Sequence, residues 1–151
     1  MAKTMMKRTL ALVTAVLLTL AFSMTCFAAE NEKTIASYTE DLGNGITAVV
    51  TITQTDSFAR STKKQTISKS YYSSGTYIGS AALAATFNYN GSTSSAVSAS
   101  GSGSGANGWS YSGQSTRTSG KSAYLTASLK NGSKTVGVSL SLTCDANGNV
   151  S

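Results

Sequence analysis

A chain of 151 residues with no histidine, no proline and 12% charged residues has room for one modest core and little means of acid–base chemistry. The missing histidine excludes Ser-His-Asp and Cys-His nucleophilic sites and nearly every zinc site. A net charge of +6, partly concentrated at the N-terminus, is too small to mark a nucleic-acid binder, and no cofactor is expected.

The first residues read as a secretory signal. Lys3, Lys7 and Arg8 precede an apolar run from Leu10 to Phe22, followed by smaller residues up to Ala28 and Ala29. Cys26 and Ala28 supply the small side chains that signal peptidase needs at −3 and −1, which places the cut after Ala28. The apolar core is shorter than the roughly 20 residues of a spanning helix, and Thr14 and Thr19 interrupt it, so removal is expected over retention as an anchor. Acylation of Cys26 is disfavoured because Ser23-Met24-Thr25 lacks the leucine and small residue of such sites. The expected organisation is therefore a signal peptide over 1–28 and one domain over 29–151, with no stable transmembrane segment after processing. Nine basic and six acidic residues then remain, for a net charge of +3.

After Ala28, about a third of the residues are Ser or Thr, alternating with Val, Ile, Leu, Ala and Tyr at the two-residue period of half-buried strands. Asn-Gly pairs at 44–45, 90–91, 107–108, 131–132 and 147–148 carry the preference for positive φ that tight hairpin turns require. In chain order the expected strands are 35–41, 46–56, 63–72, 76–89, 93–101, 108–118, 121–130 and 134–144. Ile46, Ala48, Val50 and Ile52 share one face, as do Tyr77, Ala81, Leu83, Ala85, Phe87 and Tyr89. Ala123, Leu125, Ala127 and Leu129 face Val136, Val138, Leu140, Leu142 and Cys144 across the last hairpin. Ser57–Thr62 breaks the pattern and reads as a crossing loop. The Ser/Gly/Ala composition of 98–108 points to a flexible loop, with a long edge hairpin as the alternative. The fold class is all-β: an antiparallel β-sandwich of about 7–8 strands, Ig-like or jelly-roll-like.

Candidate site residues are few. Trp109 and Tyr111 sit two apart and would share a face, and with Tyr71 and Tyr72 they are the residues able to stack on sugar rings; the competing role for Trp109 is a core plug. Arg60, Lys63, Lys64 and Lys69 form the densest basic cluster, with Lys63 and Lys69 on one face and Lys64 on the other. That patch suits an anionic polymer, or merely guards an edge strand against aggregation. Cys144, the sole cysteine after Ala28, reads as a buried hydrophobe. Glu40 and Asp41 point to opposite faces, and only Asp56 with Asp145 remains as a conceivable carboxylate pair, so no catalytic residue is assigned. Asp145-Ala146-Asn147-Gly148-Asn149 spaces its oxygens like the start of a calcium loop but lacks the closing glutamate, so it reads as a polar turn and no metal is expected.

The stretches Tyr72-Ser73-Ser74-Gly75, Ala85-Thr86-Phe87-Asn88-Tyr89-Asn90-Gly91, Gly108-Trp109-Ser110 and Leu142–Asn149 resemble small, uncharacterised secreted β-rich proteins of Firmicutes. The likeness runs from about Lys63 to the last residue. It implies a Gram-positive exporter and release to the cell wall or medium, and brings no activity or catalytic residue with it. The sequence thus points to a secreted, non-enzymatic module acting by surface contact with cell-wall polymer, glycan or another extracellular protein. The alternative is a bacteriocin-like or membrane-active antagonistic protein.

Overall fold

A computed structural model describes residues 32–55 and 61–151, which belong to one compact unit, Asn31–Ser151. The expected signal peptide, Asp56, Arg60 and most of the expected crossing loop lie outside the described residues. Alternation of apolar and hydroxyl side chains produces eight strands: β1 (Glu32–Gly43), β2 (Ile46–Thr55), β3 (Thr62–Ser73), β4 (Thr76–Tyr89), β5 (Ser94–Gly105), β6 (Ser110–Ser119), β7 (Ser122–Asn131) and β8 (Lys134–Thr143). No helix among the described residues is long and apolar enough to cross a membrane.

The strands form a five-stranded sheet in the order β1-β2-β3-β4-β5 and a three-stranded sheet in the order β6-β7-β8, all antiparallel. Ig-like or jelly-roll-like connectivity needs neighbours that are distant in the chain, whereas every hydrogen-bonded strand pair here is consecutive. Turn length explains the difference. Asn44 and Gly45 alone separate β1 from β2, and Ser74 and Gly75 alone separate β3 from β4, leaving no chain with which to cross. All four of these residues have positive φ, 53° and 73° in the first pair and 49° and 81° in the second, as a type I′ turn demands. Asn107-Gly108 is built the same way, but in the other three Asn-Gly pairs only the glycine has positive φ.

One buried cluster draws side chains from both sheets: Val50, Ile67, Leu83, Ala85 and Phe87 of the larger, Leu125, Leu129, Leu140 and Leu142 of the smaller, with Cys144 just beyond β8. Fully burying one such Leu or Phe contributes about 1.5–3 kcal/mol, which makes this cluster the main cohesive element of a domain with no disulfide. The expected inward positions are buried on β7 and, apart from the half-buried Val136, on β8, while on β4 the pattern is broken near its start. Tyr71 pairs with Gly79 but Tyr72 pairs with Tyr77, so Ile78 is the extra residue of a bulge and takes the buried place expected for Tyr77.

The segment expected to be a flexible loop is strand as far as Gly105. Gly101, Gly103 and Gly105 alternate on β5 and so lie on one face. A β-carbon there would collide with Leu125 and Thr116, with the Tyr111 ring and with the Trp109 carbonyl, respectively. The glycines are therefore the means by which β5 comes up against β6 and β7, the cost in backbone entropy being offset by that contact. Because Gly105 faces rigid backbone, Gly105→Ala is expected to lower stability by about 1–3 kcal/mol in urea denaturation. Gly137→Ala, in the open middle of β8, should leave the midpoint unchanged or raise it.

Candidate functional site

The lone tryptophan stands on a turn that the sequence makes rigid. Asn107 and Gly108 take φ of 52° and 81°, and the turn closes through the Trp109 amide donating to the Ala106 carbonyl at 3.0 Å. Two bonds tie the same turn to the start of β4: the Ala106 amide donates to the Ile78 carbonyl at 3.0 Å, and Asn107 Nδ2 donates to the Tyr77 carbonyl at 2.8 Å. Trp109 is half-buried and packs against the core.

Trp109 also lines a groove of about 520 Å³. Its other walls come from the β1–β2 hairpin (Leu42, Asn44, Ile46), from Ser73 at the end of β3, and from the start of β8 (Lys134, Val136). Leu42 is 44% exposed. The volume lies in the range that holds small ligands, roughly 300–1,000 Å³. Indole, leucine and isoleucine surfaces face an amide, a hydroxyl and one ammonium group. Such a mixture suits a ligand with an apolar ring face and a polar rim.

The other candidate aromatics do not join this groove. Tyr111 turns toward β5, with its ring over the place where Gly103 lacks a side chain and its hydroxyl donating to Gln114 Oε1 at 2.9 Å; burial raises its pKa. Trp109 and Tyr111 therefore do not make a joint exposed platform. Tyr71 is 1% exposed, so it is a core residue and no stacking surface. Tyr72, its chain neighbour, points to the opposite face and meets Tyr77 edge-on, with centroids 5.7 Å apart and planes at 62°.

The lysines are likewise dispersed. Lys63 and Lys69 share the inward face of β3, and Lys64 the outward one, but β3 is the central strand of its sheet and guards no edge. Lys69 sits in register between Val50 and Ala81, both buried, and Glu40 answers its charge at 2.6 Å. Burial foremost, then the Asp145 charge, push the Cys144 thiol pKa up, and the nearby Lys63 ammonium offsets only a part of that rise.

Asp145 is satisfied within its own turn. Its carboxylate accepts from the Asn147 and Asn149 amides at 2.9 and 2.8 Å and from Asn149 Nδ2 at 2.8 Å, and these bonds hold its pKa below the usual value. The turn closes an antiparallel bridge between Cys144 and Val150, as a polar turn should. Among the described residues, no group of three or more His, Cys, Asp or Glu side chains is placed to hold a metal ion. Comparison of the chain with protein-family models, with curated proteins and with solved structures finds no match.

Leu42, Asn44, Ile46, Lys134 and Val136 are the site residues that sequence reasoning misses. Nothing in their spacing links them; only the two sheets bring them to one end of the domain. The interior makes a pH prediction. Burial foremost, then the Glu40 and Tyr111 charges, push the Tyr71 pKa up to about 12 from 10.0. A phenol whose folded pKa is raised contributes stability below its unfolded pKa and loses it as pH climbs toward the folded one. Denaturation midpoints are therefore expected to fall between about pH 10 and 12, and Tyr71→Phe should flatten that part of the profile.

Proposed function

We propose that the chain works outside the cell as a non-enzymatic β-sandwich binding module, holding a saccharide unit of a glycan or cell-wall polymer beside Trp109. The observation that carries this reading is the position of the indole. The turn beneath it is anchored by hydrogen bonds, and the residue packs against the core while lining a groove of ligand size. A sugar ring offers an apolar C–H face to such a surface, and its hydroxyls find the amide of Asn44 and the hydroxyl of Ser73 at the rim. Export is supported by the basic, apolar and small-residue pattern of positions 1–28, and by the likeness to secreted β-rich proteins of Firmicutes. The shared hydrophobic cluster of the two sheets supports the sandwich arrangement. In this reading Tyr71 and Tyr111 are scaffold, and the binding residues are Trp109 and the groove walls.

Titrating glycans and solubilised wall polymers against intrinsic fluorescence tests the reading, because the protein has one indole. A saturable shift in emission is expected. Trp109→Ala should weaken binding about tenfold or more while leaving the denaturation midpoint of the domain measurable. An unchanged spectrum across glycans and wall polymers would sink the proposal. Dye release from anionic vesicles at the same protein concentrations would favour the antagonistic, membrane-active reading instead.

A further inference from the structure

Charge is distributed unevenly along the chain, and the groove lies at the cationic part of it. Between Asp56 and Asp145 there is no acidic residue at all, while the same stretch carries Arg60, Lys63, Lys64, Lys69, Arg117, Lys121, Lys130 and Lys134. Lys69 spends its charge on Glu40. The three-stranded sheet and its turns hold Arg117, Lys121, Lys130 and Lys134, all exposed and with no carboxylate on any of its strands.

Two of these cations are placed at the indole's end of the domain by strand register. Ser110, the residue after Trp109, pairs with Lys130, and Lys130 pairs in turn with Thr135, which puts Lys130 on the outward face of the sheet, where Arg117 also lies, while Lys134 is in the inward row of β8. Lys134 begins β8 and lines the groove itself. Asp41, the acid next to the Leu42 wall, has Oδ1 occupied by the Gly43 amide at 2.8 Å. Farther along the same sheet, the Arg117 guanidinium lies 4.8 Å from the centroid of the Tyr124 ring, which holds a second cation in a fixed position. Tyr124 and Lys130 are both on β7, six residues or roughly 20 Å apart along an extended strand. A single anionic sugar spans one of these positions; a chain of several units spans both.

We propose that the ligand held beside Trp109 is a linear anionic polymer, met first by Lys134 in the groove and, when long enough to pass the end of the sheet onto its outward face, by Lys130 and then Arg117. The proposal rests on the saccharide reading of the groove and adds the charge of the ligand to it. Exposed lysines lose little hydration on contact, so their contribution acts through space and is screened by salt.

The test compares three probes by indole fluorescence with the purified protein: a neutral chitin oligosaccharide, polygalacturonate and poly(glycerol phosphate). Either polyanion should bind about tenfold or more tightly than the neutral probe at low salt, with affinity falling as salt rises and rising with chain length. The tighter of the two identifies the anion as carboxylate or phosphodiester. Lys130→Gln with Lys134→Gln should remove most of that advantage by weakening polyanion binding far more than neutral binding, while Lys33→Gln on β1 should change neither by more than about twofold. Equal, salt-independent binding of all three probes overturns the anionic inference and leaves the saccharide groove standing. Silence of the indole toward all three sinks both. Polyanion binding indifferent to the double substitution, or an oligodeoxynucleotide bound as tightly as the polymers, also overturns the inference.

Discussion

Three missing β-carbons make the rest of this structure possible. Gly101, Gly103 and Gly105 lie on one face of β5, where Leu125, Thr116, the Tyr111 ring and the Trp109 carbonyl come too near for any side chain. Interior packing tolerates extra atoms poorly, so these glycines decide how closely the edge of the five-stranded sheet comes up to β6 and β7. That approach in turn positions the turn carrying Trp109. The opposite end of β5 is secured differently, by the Ala96 amide donating to the Gly120 carbonyl and Ser94 Oγ donating to the Cys144 carbonyl. Close backbone contact at one end and explicit hydrogen bonds at the other join the two sheets.

The interior is more polar than its leucines suggest. Lys69 and Gln65 occupy inward positions on β3 alongside Ile67 and Tyr71. Gln65 is 2% exposed, and its Oε1 has no hydrogen-bond partner, which opposes folding by about 1–3 kcal/mol. Lys69 is tolerated there because Glu40 reaches it from two strands away, at the cost of restricting both side chains. The Tyr71 phenol makes the inner face of β3 respond to alkaline pH, while the leucine-rich β7–β8 hairpin carries no ionisable group in its buried positions.

Function, in the reading offered here, follows from rigidity. The backbone under Trp109 is fixed because its turn is closed on itself and tied to β4 by two hydrogen bonds, and packing against the core restricts the ring. A preorganised indole avoids part of the entropy that a mobile side chain gives up on meeting a ligand. The groove opposite is assembled from the ends of three hairpins, β1–β2, β3–β4 and β7–β8, each with a two-residue turn, so its walls are similarly constrained. On the side of β6–β8, strands without a carboxylate give the groove a positive local field that salt screens.

By itself the sequence determined that the domain is β-rich, where its strands run apart from the second half of β5, and which face of β7 and β8 is buried. Those features depend on alternation and on turn residues a few positions apart, and hydrophobic burial enforces them locally. Only the tertiary structure decided that Ile78 replaces Tyr77 inside, that β3 is central, that 98–105 is strand, and that Tyr71 and Tyr111 are scaffold. A bulge, a sheet order and a close approach depend on partners far away in the chain, which residue period does not encode. The alternate glycines of 101–105 were a legible sign of an inter-sheet contact, but composition alone made the same residues look mobile. The groove belongs wholly to the second category: Leu42, Ser73, Trp109 and Lys134 meet because two sheets end together, and no spacing within the chain expresses that.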